Sequence, residues 1–374
     1  MSQSKASAVS QLAIKEWITV IALIFGGCCS NMFTLEKIVT HNKDAGTVVT
    51  FTQFLFIALE GYIHFFDKTR PPFYIKQNHV PFKRWSVTII MFFLISLLNN
   101  VAFNFNVSVP IHLIFRSSGA AVVMVIGYLV AGKRYNWTQI FSAVLLTVGA
   151  IITTLYKDKE LFMKRSEIVD PAEEVSKGFF SLITDDLFFL TGIGVLFISA
   201  ILMALMGLYN EETYRLYGKH WQENVFYSHL LGLPIFLFVS NRIVSEFKGL
   251  LEYPETFDIL GLFHIPQQIA YLLLNVLTQF FCVRGANMLA GSTTALTVAV
   301  VLLLRKFVSL LLSMMLFNNR LSVTGSFGAA LVFIGAFLYS YGSRPPAKPL
   351  ATERGEVEMS SFTVDQGPSD KRTA

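Results

Sequence analysis

Ten apolar segments, separated by shorter polar stretches, dominate the pattern of hydrophobic and polar positions along this chain. They lie at about 17–35, 47–66, 86–105, 109–131, 137–156, 187–208, 224–240, 262–283, 291–317 and 321–342. Most approach or exceed the roughly 20 residues that an α-helix needs to cross a bilayer. Their length and continuity favour helices over strands. The pattern therefore predicts an all-α membrane protein with ten transmembrane helices.

The polar stretches divide the chain into five parts. We predict a cytosolic N-terminal segment at 1–16, a first five-helix half at 17–156, a polar lumenal loop at 157–186, a second five-helix half at 187–342 and a cytosolic tail at 343–374. The tail is rich in Pro, Ser, Thr, Glu and Lys, a composition typical of disorder.

Composition agrees with a membrane location and excludes other classes. The chain has 374 residues, of which 53% are hydrophobic and 15% charged. Its net charge of +5 is too small and too dispersed for a nucleic-acid-binding protein. The three cysteines, Cys28, Cys29 and Cys282, all lie in predicted spans. We therefore expect no disulfide framework, no metal site and no cofactor.

Lysine and arginine in the polar stretches predict the orientation. Five of these cations lie between the second and third spans, Lys133 and Arg134 follow the fourth, and several more lie in the tail. With ten spans these three regions share one side, so both termini should face the cytosol. An odd number of helices in each half would then place the two halves inverted in the membrane.

A weak internal repeat supports two inverted five-helix repeats. Segments 133–135 and 148–151 resemble segments 319–321 and 334–337 at a constant offset of 186 residues. Chance similarity between helices rich in Leu and Gly is the alternative. Inverted repeats would place a binding site near the midplane of the membrane, between the halves.

Two adjacent cations, Arg305 and Lys306, lie near the middle of the ninth apolar segment. One cation at this depth costs at least ~2.5–3.5 kcal/mol on insertion scales, unless it faces water or an anion. A diphosphate suits them, because Arg offers a fork of donors and Lys a point charge. Snorkelling to the interface or pairing with Glu36 or Glu60 is the alternative.

Weaker candidates lie on other spans. Arg116 and Ser117 begin the fourth span, where a ligand contact competes with a structural or gating ion pair. Tyr227 and His229 follow Phe226 in the seventh span. They could stack on a base and accept hydrogen bonds, or form an interfacial aromatic belt beside a packed His.

Polar residues inside the apolar runs complete the candidate set. They are Asn31, Asn99, Asn100, Asn275, Gln279, Thr294 and Thr297. Hydrogen bonds between helices explain most such Asn and Gln residues, and bonds to the backbone of the same helix explain most such Thr residues. Contact of one or two of them with a sugar is the functional alternative. No hydrolase triad, metalloprotease motif or phosphate-binding loop is present in the sequence, so we do not expect an enzyme.

Several stretches in order resemble the nucleotide-sugar transporters of solute carrier family 35, B type, over residues 17–341. The resemblance lies at 26–31, 49–58, 98–100, 111–117, 226–229 and 304–310. Within that family the sequence is most similar to transporters of UDP-N-acetylglucosamine and UDP-xylose. The resemblance implies a ten-helix drug/metabolite-transporter fold that exchanges a cytosolic nucleotide sugar for a lumenal nucleoside monophosphate.

The same resemblance suggests roles for particular residues. The run Phe226-Tyr227-Ser228-His229 is similar to the FYNN motif of GDP-mannose transporters, which holds base and ribose. Lys306 falls where their GALNK motif has its Lys, near sugar and phosphate, although the four preceding residues differ. The resemblance thus implies a base site on the seventh span and a phosphate site on the ninth.

Together these observations lead to one hypothesis: an antiporter that moves UDP-N-acetylglucosamine from the cytosol into the lumen of the endoplasmic reticulum or Golgi in exchange for UMP. Arg305 and Lys306 would take the diphosphate, Tyr227 and His229 the uridine, and Asn residues of the first and third spans the sugar. The expected partners are a UDP-sugar, UMP and the lipid bilayer, with a homodimer left open. Other cargoes (UDP-xylose, UDP-glucose, ATP/ADP), a membrane-embedded transferase and a structural subunit are the alternatives.

Overall fold

The computed structural model describes residues 15–42, 45–105, 115, 117–166, 179–259, 263–316 and 323–343. They form helices α1 (Lys15–His41), α2 (Gly46–Phe65), α3 (Phe82–Val101), α4 (Gly119–Ala131), α5 (Trp137–Ser166), α6 (Phe179–Tyr217), α7 (Trp221–Leu230), α8 (Ser240–Leu251), α9 (Gln267–Ser292), α10 (Ala295–Leu316) and α11 (Val323–Gly342). Strands β1 (Thr256–Ile259) and β2 (Phe263–Pro266) pair antiparallel before α9.

Shorter helical turns interrupt or extend three of these helices. A π-helical segment, Ala22–Gly27, lies inside α1, and a 3-10 turn at Ala102–Phe105 extends α3. A second 3-10 segment, Leu233–Val239, joins α7 to α8 and has Pro near its first residue. Proline lacks the N–H that an α-helix interior requires, which explains the change of geometry at this point.

Seven helical stretches among the described residues are long and apolar enough to cross a membrane. They are Lys15–His41, Gly46–Phe65, Phe82–Val101, Phe188–Tyr217, Trp221–Leu251, Gln267–Ser292 and Thr324–Gly342, with shorter apolar helices at Gly119–Ala131 and Trp137–Thr153. The mostly helical, membrane-spanning character predicted from the sequence is confirmed. The number of ten spans and the inverted arrangement stay predictions.

Several helices begin or end at other residues than the sequence predicts. The ninth span, expected at 291–317, corresponds to α10 but begins at Ala295, because Thr293 is extended and residues 291 and 292 belong to the end of α9. Helix α9 accordingly continues nine residues beyond the expected end at 283. The polar stretch expected as a loop at 157–186 is entered from both sides by helix, from α5 up to Ser166 and from α6 starting at Phe179.

Glycines bring α5 and α11 into backbone contact. A methyl group added at Gly149 would lie 2.6 Å from the carbonyl oxygen of Gly328, and one at Gly335 would lie 3.0 Å from that of Ser142. Residue numbers rise along α5 as they fall along α11, so the helices run antiparallel. At the repeat offset of 186, positions 142 and 149 correspond to 328 and 335. Each of the two contacts is therefore the counterpart of the other.

A disulfide bond joins α1 to α9 and corrects the expectation that the cysteines form none. Cys28 and Cys282 are bonded, with their Cα atoms 4.6 Å apart. Gly27 allows this approach, because a methyl group there would lie 2.9 Å from the backbone nitrogen of Cys282. The two cysteines are 254 residues apart, so no local sequence pattern reveals the pairing.

Glu223 fastens the segment between α2 and α3 onto α7. Its carboxylate accepts hydrogen bonds from the backbone N–H groups of His79 and Val80, at 2.7 and 3.2 Å, and from the Trp85 indole N–H at 3.2 Å. The Glu223 side chain is buried. Several donors converging on it provide the solvation that a buried carboxylate requires. Segment 66–81 is thereby held against the membrane-spanning helices.

Candidate functional site

Arg305 lies near the middle of α10 and is half-buried. Its Nη1 lies 3.5 Å from the Cys282 sulfur, which is a weak acceptor, and its Nε is buried without a hydrogen-bond partner. In the described part of the chain no carboxylate forms an ion pair with Arg305. A permanently charged guanidinium with open donor capacity in an apolar helix is the feature expected of an anion site.

Lys306 is exposed, whereas Arg305 faces α9. Successive residues of an α-helix point about 100° apart, so the two cations do not point in one direction. Ser309, one turn after Arg305, lies 3.1 Å from the Cys29 sulfur and marks the face that α10 turns towards α1. The structure thus places one cation against α1 and α9 and the other on a more open side of α10.

A second cation within the membrane, Arg284, escaped the sequence analysis. Its Nη1 lies 3.6 Å from Oε1 of Glu60, and the guanidinium lies over the rings of Trp221 and Phe280, at 5.5 and 5.0 Å from their centroids. Arg284 and Glu60 are about 40% exposed, at 39% and 40%. Glu60 was considered above as a partner for Arg305, and it pairs with Arg284 instead. The misplaced end of the eighth span at 283 hid Arg284 in a presumed loop.

The first turn of α10 is anchored to α6 by Glu211. This carboxylate accepts the Ala295 N–H at 2.7 Å and pairs with Lys133 from the loop after α4. A carboxylate at a helix N-terminus is favourable because it meets the unpaired N–H groups and the positive end of the helix dipole.

Burial, together with the charges of Glu211 and Tyr339, raises the pKa of nearby Tyr135 to about 12, so its hydroxyl stays neutral.

Thr294 and Thr297 have structural roles in this conformation. Thr294 caps α10, because its Oγ1 accepts the Thr297 N–H at 3.2 Å. The Thr297 hydroxyl lies 3.0 Å from that of Tyr339 on α11. Both threonines therefore help to fix the start of α10 rather than present a free polar face.

The aromatic run on α7 packs against the segment between α2 and α3. Tyr227 donates its hydroxyl to Oδ1 of Asn78 at 2.6 Å. Phe226 is buried against Gly61, where an added methyl group would lie 2.6 Å from the Phe226 ring. His229 is buried with Nδ1 2.7 Å from the Val225 carbonyl oxygen. No contact in the described residues joins this run to Arg305.

Asn31 and Asn275 bind each other across α1 and α9. The Asn31 amide donates to the Asn275 carbonyl oxygen at 2.9 Å, and the Asn275 amide donates to the Asn31 carbonyl oxygen at 3.1 Å. Gln53 adds a bond to Oδ1 of Asn275 at 2.7 Å. Both asparagines are buried. This closed network is the interhelical hydrogen bonding that the sequence left open as an alternative to sugar binding.

The remaining candidates lie on α3, just before α4 and on α9. Asn100 is exposed near the end of α3, while Asn99 and Ser117 are half-buried and Gln279 is half-buried on α9 without a hydrogen bond to a described residue. Arg116 lies outside the described residues.

One group of side chains has metal-ligand chemistry, namely His79, His220 and Glu223, whose ligand atoms lie within 4.8 Å of one another. Both Glu223 oxygens already accept N–H groups from the segment that it fastens. The two imidazole rings stack almost parallel, with centroids 4.2 Å apart. Stacked rings cannot aim their in-plane lone pairs at one ion, so this group is a packing contact rather than a metal site.

Comparison with known proteins finds one family and several relatives that match most of the chain. The family model described as the UAA transporter family matches residues 16–343. The UDP-N-acetylglucosamine transporter of Saccharomyces cerevisiae is 40% identical over 346 residues, which cover 92% of this chain and 98% of that protein. The protein of the same description from Kluyveromyces lactis is 42% identical, over 89% and 99% of the two chains.

Vertebrate relatives are similar over most of the chain. A protein of Danio rerio described as a UDP-xylose and UDP-N-acetylglucosamine transporter is 36% identical, over 86% of this chain and 92% of its own. A solved crystal structure with 12% identity superimposes with a TM-score of 0.51, covering 86% of this chain and 96% of that one. The structural match indicates a similar fold and nothing about cargo.

Proposed function

Because the chain belongs to the UAA transporter family, we propose that it carries UDP-N-acetylglucosamine across an endoplasmic-reticulum or Golgi membrane by alternating access. The family is one of transporters, and the chain is a transporter rather than an enzyme. The relatives named for this cargo match almost the whole chain, which supports the same cargo here. UDP-xylose is the second candidate, because one relative is named for both sugars.

The single structural observation on which the proposal rests is the guanidinium of Arg305, which has no carboxylate partner among the described residues. It is half-buried midway along a helix of 22 residues and has a buried Nε without a partner. A diphosphate would satisfy these donors and neutralise the charge. Lys306 would meet the same anion from the open side of α10, as the cargo moves past.

Arg284 is a second anion contact in this proposal, on another face of α9 than Arg305, so that the cargo would meet the two cations at different points of its path. Its partner Glu60 and the rings of Trp221 and Phe280 hold it on the opposite side of α9 from Cys282. Because the Arg284–Glu60 pair is partly exposed, a phosphate could replace the carboxylate without an uncompensated charge being buried. Trp221 offers a flat ring on which a uracil could stack.

UMP would return in exchange for the incoming nucleotide sugar. Reorienting an empty site that holds two permanent charges is costly in an apolar barrier, and a bound anion lowers that cost. In this proposal UDP-sugar moves away from the cytosol, and both termini lie on the cytosolic side. That orientation rests on the Lys and Arg residues of the polar stretches.

Two inverted halves are part of the proposal. The paired contacts of Gly149 with Gly328 and of Ser142 with Gly335 support them. Gly149 contacts Gly328, and the repeat equivalents of these two residues, Gly335 and Ser142, contact each other as well. Such reciprocal contacts between antiparallel helices are expected around a two-fold axis lying in the membrane plane. A homodimer, which the sequence leaves open, would be detected by a measurement of mass in detergent.

Uptake into sealed proteoliposomes tests the function. Vesicles preloaded with UMP should accumulate labelled UDP-N-acetylglucosamine, and empty vesicles should accumulate much less. Unlabelled UDP-xylose and UDP-glucose, added outside, would rank the sugars. Cleavage of the nucleotide sugar by purified protein in detergent would instead indicate a transferase and overturn the proposal.

Substitution of the cations tests the assigned roles. Arg305→Ala and Lys306→Ala together should lower uptake more than about 100-fold, because a charge-assisted hydrogen bond contributes roughly 1.5–3 kcal/mol. Arg284→Gln should lower it about tenfold. Arg215→Ala is the matched control, because it removes a cation from an exposed pair with Glu212. Uptake that survives the double substitution would contradict the phosphate site.

A further inference from the structure

The segment between α2 and α3 forms an open cavity of about 650 Å³ against α7. Its polar wall includes Arg70, Lys76 and Asn78, and its apolar wall includes Phe82, Leu230 and Leu231. Leu230 and Leu231 belong to the stretch Trp221–Leu251, and Phe82 begins α3; both stretches are long and apolar enough to cross the membrane. The cavity thus joins a cationic, polar side to an apolar side at the edge of the bilayer.

The rim of the cavity is unusually apolar for a polar connecting segment. Phe73 is 75% exposed, Phe82 47% and Leu231 37%. Aromatic side chains at this level are typical of the boundary between headgroups and acyl chains. If the cavity opened only to water, these surfaces would remain solvated at a free-energy cost. An opening towards lipid removes that cost.

Positive charge dominates the polar side. Segment 66–84 contains five Lys and Arg residues and one acid, Asp67. Asp67 lies 3.5 Å from the Arg70 side chain but does not line the cavity. Arg70 donates to Gln77 at 3.3 Å and Lys76 to the His64 carbonyl oxygen at 2.9 Å, so both keep donors for another acceptor. No acidic side chain lines the cavity among the described residues.

The cavity is preorganised by backbone hydrogen bonds. Asp67 N–H donates to the Tyr74 carbonyl at 2.7 Å, Tyr74 N–H to that of Arg70 at 2.8 Å, and Lys76 N–H to that of Phe65 at 2.8 Å. The far end is held by Asn78, which accepts the Tyr227 hydroxyl, and by the Glu223 clamp. A cavity with a fixed frame loses little conformational entropy when a ligand enters.

We propose that this cavity binds an anionic phospholipid of the adjoining leaflet. The headgroup phosphate lies between Arg70 and Lys76, and an acyl chain runs along Leu230, Leu231 and Phe82. Charge complementarity selects an anionic over a zwitterionic headgroup, because neighbouring cations attract the excess negative charge. The apolar wall selects a lipid over a soluble phosphate. Arg305 does not line this cavity, whereas Tyr227 forms part of its wall.

Lipid titration of the purified full-length chain tests this proposal. In detergent micelles, increasing mole fractions of phosphatidylserine should raise the midpoint of thermal unfolding, and phosphatidylcholine should raise it much less. The variant Arg70→Gln/Lys76→Gln should bind phosphatidylserine about 30-fold more weakly, because two surface cations near an anionic headgroup are removed. Its unfolding midpoint without lipid should match that of the unsubstituted chain.

A matched control removes the same charge elsewhere in the segment. Lys68 and Lys83 are exposed and do not line the cavity, so Lys68→Gln/Lys83→Gln should keep most of the phosphatidylserine effect. Equal losses in the two double variants would show diffuse attraction and overturn the site. A loss in neither would overturn it as well.

Two further arms separate the lipid from other ligands. Leu231→Trp narrows the cavity at its apolar wall and leaves Arg70 and Lys76 in place. It should therefore weaken phosphatidylserine binding without changing the midpoint of thermal unfolding measured in the absence of lipid. Inorganic phosphate should give no comparable stabilisation. Stabilisation by inorganic phosphate equal to that by phosphatidylserine would show an anion site without a lipid component and contradict the proposal.

Discussion

At the level of single residues, Glu223 and Arg305 are two charged groups inside the protein with contrasting surroundings. The Glu223 carboxylate accepts two backbone N–H groups and an indole N–H, so the protein itself replaces the water it has lost. The Arg305 guanidinium has a sulfur at 3.5 Å and an unpartnered Nε. The first arrangement holds the structure together, and the second leaves capacity for a ligand.

Substitution of Glu223 should be one of the more destabilising single changes in the described chain. Glu223→Gln replaces one acceptor oxygen by an NH₂ group that faces donors, so we expect a loss of about 3 kcal/mol in the free energy of unfolding. Thermal unfolding in detergent measures it. Glu212→Gln, in an exposed pair with Arg215, is the control and should leave the unfolding midpoint almost unchanged. Equal effects would contradict the role given to Glu223.

Sequence reasoning found Arg305 and Lys306 because charge inside an apolar run is rare and costly. It could not find Arg284, whose significance depends on where α9 ends. It also could not separate the buried polar residues that contact a ligand from those that only bind other helices. Only the structure shows that Asn31 and Asn275 satisfy each other and that Thr294 caps α10. Such partners are distant in sequence, and periodicity contains no information about them.

At the level of elements, the contact between α5 and α11 depends on glycine. Gly328 is surrounded by the Thr153 hydroxyl and the Gly149 carbonyl oxygen, which would lie 2.5 and 2.8 Å from an added methyl group. Small residues at such crossings let backbones approach and gain dispersion contacts in the absence of a hydrophobic driving force. The helix pattern identified both elements, but the closeness of their packing comes from these particular positions.

Replacing Gly328 with Ala should separate the two helices. We expect a loss of about 1–3 kcal/mol in stability, because overpacking forces backbone shifts. Gly194→Ala is the control, since nothing lies within 4 Å of its added methyl group, and it should be neutral or stabilising. Gly149→Ala and Gly328→Ala share one contact, so their effects in the double variant should be less than additive. Strict additivity would argue against the contact.

Most helices could be predicted from the sequence, whereas several of their ends could not. Apolar length identifies a membrane helix, but the junction between α9 and α10 is made by the extended backbone of Thr293 within an apolar run. Capping by Thr294 and the Glu211 carboxylate fixes the start of α10. The Glu211 contribution comes from another helix. The local sequence thus decides whether a helix forms, whereas the position of this boundary depends on a contact with another helix.

At the level of the whole molecule, the numbers of free and disulfide-bonded cysteines can be measured by alkylation. Cys28 and Cys282 are bonded and Cys29 is free and half-buried. Alkylation of the unfolded chain without reductant should therefore modify one cysteine, and alkylation after reduction should modify all three. Intact-mass measurement distinguishes the two states. Cys29→Ser should leave no reactive thiol before reduction, and three reactive thiols in the unsubstituted chain without reductant would contradict the bond.

The Cys28–Cys282 bond also limits how the molecule can move. Cys28 belongs to the proposed first half and Cys282 to the second, so a covalent tie crosses the boundary between them. When the halves tilt, the tied point must stay nearly stationary and the distant ends of α1 and α9 must sweep the larger arcs. The bond therefore acts as a fulcrum, and distance probes on those far ends would register the greatest excursion in each transport cycle.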